Sequence, residues 1–135
     1  MKKYRIIPVL ALLLLSPVSN AATYTQSTLS AAAAAINKSL PTMVDSVTKF
    51  TTVTVDTSTF RYHYIITNVK STDMDAAKFN AAMRTNLSKL VCVDQFAKQV
   101  FDSGFNISFD YNGNDNKPIT SIVFKPGDCS KQVRN

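Results

Sequence analysis

His63 is the only histidine in a chain of 135 residues, and it lies between Tyr62 and Tyr64. A lone imidazole excludes a zinc site that draws two or more histidines from one chain. It could act as a general base, yet no serine-nucleophile motif accompanies it, so an exposed or interfacial strand residue is the expectation. The carboxylates add little. All nine acidic residues are aspartate. Asp73 and Asp75 stand where a helix should begin, and capping and dipole effects explain them there. Asp110 and Asp115 flank the run Asn112-Gly113-Asn114-Asp115-Asn116, whose oxygens resemble part of a calcium loop. An EF-hand also needs a terminal glutamate, which this chain lacks, so a hairpin turn is expected instead. The three glycines, at 104, 113 and 127, build no phosphate loop. No enzyme chemistry, cofactor or metal is expected from these residues.

Cys92 and Cys129 are the two cysteines. Their spacing is far from C-x-x-C, and one histidine gives little help to a thiolate metal site. A redox pair and metal thiolates therefore compete poorly with a structural disulfide, provided the compartment is oxidising. Such a crosslink closes a loop of about 37 residues and stabilises by about 3–4 kcal/mol in the chain-entropy model.

The N-terminus speaks to that compartment. Met1-Lys2-Lys3-Tyr4-Arg5 is basic, Ile6 to Leu15 is apolar, and Ser16 to Ala22 is rich in small residues. These are the parts of a secretory signal peptide. Cleavage is expected after Ala21, with Ala22 the near alternative. The apolar run rises only about 15 Å as a helix, roughly half of a bilayer core, so a membrane anchor is not expected. No cysteine near that point suggests a lipid anchor. The mature chain, residues 22–135, has the size of one domain, with 22–27 and 130–135 expected to be loose. Removing Lys2, Lys3 and Arg5 lowers the formal charge from +6 to +3. Basic residues are dispersed, so no nucleic-acid footprint is present. The triplets at Asn37, Asn86 and Asn106 match the glycosylation pattern, but with a bacterial-looking leader they are chance matches.

The elements that must position these residues follow from periodicity. Thr28 or Ser30 should cap a helix through Ala31–Ala35 that stops before Pro41. Phe50 to Val55 is rich in β-branched residues, and Phe60, Tyr62, Tyr64 and Ile66 alternate with polar neighbours, predicting a hairpin around Asp56-Thr57-Ser58. Ser71-Thr72-Asp73 should cap a helix carrying Phe79, Met83, Leu87 and Leu90. A break is expected near Val93-Asp94, with Asp94 capping a second segment that Gly104 ends. Phe105 to Tyr111 and Ile119 to Phe124 predict a second hairpin. The order is α-β-β-α-β-β, an α+β fold with an antiparallel sheet, helices packed on one face and one disulfide. The strand aromatics could form a ligand or glycan platform, but a domain this small without tryptophan needs them as its core.

Three stretches carry a resemblance: Leu40-Pro41-Thr42-Met43-Val44-Asp45 with Thr48, then Cys92 with Gly104 and Phe109-x-Tyr111, then Pro126-Gly127-Asp128-Cys129. Over most of residues 36–129 the chain resembles a loose group of small exported proteobacterial periplasmic proteins. The resemblance implies an exported domain with paired cysteines and no established catalytic residues. The functional expectation is a periplasmic protein-binding module, either an inhibitor or immunity protein or an accessory of an envelope or secretion machine. An exposed strand edge would be available for pairing. Arg61, His63, Tyr111, Asn112, Asn114 and Lys117 are the candidate partner contacts, and a small-ligand or polysaccharide binder is the alternative.

Overall fold

The structure, a computed structural model, describes residues 23–134. The expected signal peptide and its cleavage site lie outside the described residues. The first helix, α1, spans Gln26–Asn37 and starts earlier than Thr28. Thr25 is its N-cap: the Thr25 hydroxyl accepts the Thr28 amide at 3.2 Å, and the Thr28 hydroxyl accepts the Thr25 amide at 2.9 Å. The early start has a tertiary cause. Tyr24 packs its ring on Phe96 and donates its amide to the Ser103 hydroxyl at 2.7 Å, which pins the chain just before the cap. Leu29 and Ala33, four residues apart, are the buried positions of α1.

A two-residue strand, β1 (Thr42–Met43), leads to β2 (Thr48–Val55) and β3 (Thr59–Ile66). The β2–β3 turn is built on Asp56, whose carboxylate accepts the Ser58 and Thr59 amides at 2.9 and 2.8 Å. Ser71–Asp73 forms a short 3-10 turn rather than the start of the next helix. Asp115 claims the Ser71 amide and hydroxyl, at 3.1 and 2.8 Å, and so ties this segment to the distant turn. The long helix α2 (Ala76–Val91) is capped two residues later by Asp75, which accepts the Lys78 amide at 3.1 Å. Asp94 caps α3 (Gln95–Asp102) through the Ala97 amide at 2.8 Å, and Gly104, at φ +84, ends it. Strands β4 (Asn106–Asn112) and β5 (Pro118–Phe124) complete the sheet, and a 3-10 turn at Cys129–Arg134 closes the chain.

The fold is α+β, with a five-stranded sheet in the order β1-β2-β3-β4-β5. Neighbours pair antiparallel except β3 and β4, which run parallel from Thr59↔Asn106 to Ile65↔Asn112. The parallel pair departs from the all-antiparallel expectation, and its cause is the crossover. A chain leaving β3 through α2 and α3 re-enters the sheet at the same end, whereas a tight turn reverses it. All three helices pack on the face that carries Phe60, Ile107, Ile122 and Phe124. The other face holds Thr54, Arg61, His63 and Asp110.

Side chains occupy part of the outer flanks of β2 and β5. Asn37, at the end of α1, donates its side-chain amide to the Val53 carbonyl at 2.9 Å and accepts the Val53 amide at 2.7 Å, occupying a strand's place beside β2. On β5, Arg84 donates to the Val123 carbonyl at 3.1 Å, and Asn80 donates to Thr120 Oγ1 at 2.8 Å. Such side chains blunt β5 and the part of β2 beyond β1, one of the devices that keeps sheets from pairing with strangers.

Cys92 and Cys129 form a disulfide with Cα atoms 5.3 Å apart, joining the end of α2 to the closing turn. The paired Cys92→Ala and Cys129→Ala changes should lower unfolding free energy by about 3–4 kcal/mol. A urea midpoint unchanged from the oxidised parent would refute that value. At Gly113 an added Cβ would lie 2.4 Å from the Ser71 nitrogen and 2.8 Å from the Lys70 carbonyl carbon. Gly113→Ala should therefore cost about 1–3 kcal/mol through overpacking, read by the same denaturation experiment.

Candidate functional site

On the open sheet face, His63 Nε2 and Thr54 Oγ1 are 2.7 Å apart. His63 Nδ1 lies 3.7 Å from Asp110 Oδ2, and Arg61 Nη1 lies 3.5 Å from the same oxygen. Ser108 donates its hydroxyl to Asp110 Oδ1 at 2.5 Å. Hydroxyl, imidazole and carboxylate are the parts of a nucleophilic triad, but the geometry fails it. The imidazole–carboxylate contact exceeds hydrogen-bond length. Arg61 competes for that carboxylate, and the residues sit in a paired ladder on an open face. The cluster is a cross-strand polar ladder.

The other sequence-selected residues divide. Asn112 lies two residues beyond Asp110 on β4, opposite Ile65, so register puts it on the open face with Arg61 and His63. Asn114 is exposed, yet its amide donates to the Val69 carbonyl at 2.8 Å. Lys117 is exposed on the same turn. Tyr111 is different: only 3% exposed, it stacks on Tyr64 at 5.1 Å beneath the helices. Adjacent strand residues face opposite sides, which separates Tyr111 from Asn112 and removes it from the surface set. Asp115 cannot anchor a calcium loop while it holds Ser71. Burial works against its ionisation, but the Ser71 and Lys117 hydrogen bonds outweigh that and keep its pKa below the usual carboxylate range. Among the described residues no three His, Cys, Asp or Glu side chains converge as metal ligands.

The helix side holds a feature that periodicity did not reveal. Helix α1 packs over β2, α2 over β5 and α3 over β4, leaving the middle of β3 without a helix squarely above it. Phe60 is fully buried, its ring edge-on to Phe96, whereas Tyr62 and Tyr64 are half-buried. Two cavities open there. One, of about 380 Å³, lies over Tyr62 and Phe109 with Leu90, Val93 and Asp94 among its lining. The other, of about 240 Å³, lies over Tyr64 and Tyr111 with Phe79, Met83, Val44 and Asp45. Both are lined by residues of α2, and the pair is termed the trough.

Its rim is unusually apolar. Leu90 is 65% exposed and Val93 78%, while Met43 and Val44 are also exposed near the far end. Phe79, Met83, Leu87 and Val91 step by four along α2, and Val91 takes the buried place, which turns Leu90 outward. The sequence had put Leu90 in the buried stripe. The adjacent pair Leu90-Val91 was the available signal that one of them would be left outside.

The floor is built of stacked aromatic rings. Tyr62 stacks on Phe109 at 5.1 Å with planes 11° apart. Tyr64 is stacked with Phe50 at 4.9 Å and with Tyr111 at 5.1 Å. Each of these rings thus has a face covered by another ring. No described group hydrogen-bonds the Tyr62, Tyr64 or Tyr111 hydroxyls, although each still meets solvent. Burial raises all three phenol pKa values, Tyr64 to about 12; nearby Tyr64 and Asp94 add to the rise at Tyr62, and Tyr64 and Asp45 at Tyr111.

A family profile matches residues 23–120, which run from before α1 into β5 and include the trough. The chain belongs to the family described as Domain of unknown function (DUF8479). The DUF8479 match ends before Cys129, so the second half of the disulfide lies beyond it. "Protein K" of Escherichia coli is 31% identical over 97 residues, covering 70% of this chain and 51% of that protein. This DUF8479 chain thus spans about half the length of the curated relative it matches. A Pseudomonas aeruginosa protein described as secreted shares the fold at TM-score 0.66 and 17% identity, over 77% of this chain and 91% of that one. EpsS, a pilotin from the type 2 secretion system of Vibrio vulnificus, shares it at TM-score 0.62 and 15% identity, over 77% and 90%. No helix among the described residues is long and apolar enough to cross a membrane.

The raised phenol pKa values fix the sign of an alkaline effect. A tyrosine whose folded pKa is raised adds stability that is whole below about pH 10 and is lost as pH rises further. Spectrophotometric titration should show three tyrosines ionising above the ordinary value, together with loss of near-ultraviolet circular dichroism. Ionisation of all tyrosines near pH 10 in a still-folded protein would refute the burial.

Proposed function

We propose that this chain is an exported, non-enzymatic protein-binding module serving an envelope or secretion machine, and that the trough along α2 takes an apolar segment of its partner. The observation that carries the reading is the pairing of the exposed Leu90 and Val93 with a half-buried aromatic floor. Large apolar side chains beside a cavity are what a docking site presents before its partner arrives. The basic, apolar and small-residue sequence of residues 1–22 supports export. The fold shared with a type 2 secretion pilotin favours the accessory role over the inhibitor or immunity role.

Polysaccharide binding fits less well. A sugar ring stacks on an exposed aromatic face, and in this floor Tyr62 and Tyr64 have their faces taken by Phe109, Phe50 and Tyr111. Strand addition is disfavoured at β5 and along β2 by the side chains that occupy their backbone groups. The trough leaves its neighbours on α2 free to receive a segment end to end.

The test is capture from native periplasm by crosslinking and mass spectrometry, comparing the tagged parent with Leu90→Gln/Val93→Gln. Both positions are exposed, so the melting temperature should change little. If each acts as an interface anchor, capture of the main partner should fall by about thirtyfold or more. Equal capture by the double variant would overturn the docking site.

A further inference from the structure

The trough differs in charge from the rest of the molecule. Residues 22–135 carry twelve Lys and Arg against nine acidic residues. Each cavity of the trough is nevertheless lined by one aspartate and by no lysine or arginine. Two further cavities mix the signs, Arg84 with Asp128 in one and Lys98 with Asp102 in the other. Asp94 and Asp45 are both exposed, so neither charge suffers the cost of burial. Both are also held still. Asp94 accepts the Ala97 amide at 2.8 Å, and Asp45 accepts the Val47 and Thr48 amides at 2.9 and 2.7 Å. Tyr62 shares one cavity with Asp94, and Tyr64 and Tyr111 share the other with Asp45. Fixed acceptors lose little freedom when a donor arrives.

We infer that the trough selects a cationic amphipathic helix, with an apolar stripe laid against Met83, Leu90 and Val93 and a lysine or arginine near each end, one meeting Asp94 and the other Asp45. This deepens the docking role proposed above and rests on it. The stretch of α2 from Phe79 to Leu90 runs about 16 Å, or three turns, which sets the length of helix that can lie alongside. An apolar stripe alone would leave both carboxylates without a cationic partner, whereas an ammonium or guanidinium donates to a carboxylate in a charge-assisted hydrogen bond.

The experiment uses two synthetic helical peptides of about four turns. Both carry one leucine stripe; one has lysines at both ends, and its twin has glutamates there. The mature protein should bind the lysine peptide about tenfold more tightly in low salt, the sum expected of two exposed ion pairs. Asp45→Asn with Asp94→Asn keeps the oxygens that accept backbone amides and removes the charges. It should reduce that preference to within about twofold. Leu90→Gln/Val93→Gln should weaken both peptides alike. Equal binding of the two peptides, or a preference that survives the asparagine variant, overturns the charge selection and leaves the trough standing. Failure of both peptides to bind the parent, or indifference to the Leu90 and Val93 changes, overturns the trough itself.

Discussion

The architecture depends on the parallel contact between β3 and β4. It is the one place where the two halves of the sheet meet, and it is cemented by stacking across the strands, Tyr62 on Phe109 and Tyr64 on Tyr111. Parallel pairing requires the chain to travel over the sheet between the two strands, so α2 and α3 arise from the same constraint. They settle over β4 and β5, while α1 settles over β2. The gap over β3 is what remains. The trough is therefore a by-product of topology, lined by side chains that a wider helical layer would have sealed.

Local pattern carried much of this. The alternation from Phe60 to Ile66, the cap at Asp94, the stop at Gly104 and the paired cysteines were all legible, because each depends on neighbours within a turn or on a single covalent possibility. What escaped was decided at a distance. The N-cap moved to Thr25 because Tyr24 is anchored on α3, and the next cap moved to Asp75 because Asp115 holds Ser71. Alternation is identical in parallel and antiparallel strands, so the mixed sheet could not be read from it. Tyr111 looked like a surface residue from its place beside a turn, but its parity along β4 sends it under the helices.

The polar residues divide in the same manner between reach and restraint. Asn37 and Arg84 are spent on backbone groups of β2 and β5, Asn80 on the Thr120 hydroxyl and the Ser121 carbonyl, and Arg61, His63 and Asp110 on one another. Each looks available in the sequence, and each is occupied in the fold. Asp45 and Asp94 are engaged through backbone amides yet remain exposed, which is why they stand out at the trough when more conspicuous charges do not.

The stacked floor also bears on how the chain folds and varies. Each hairpin can close over its own short turn, whereas β3 and β4 meet only after the whole crossover has looped back, and that closure bears the largest entropic cost. The rings that greet each other at that moment are the rings that later line the trough. Substitution among Tyr62, Tyr64, Phe109 and Tyr111 therefore disturbs assembly before it can retune recognition. Divergence in what relatives hold should accumulate instead at rim positions such as Met43, Val44, Leu90 and Val93, where side chains are free to change without the sheet taking notice.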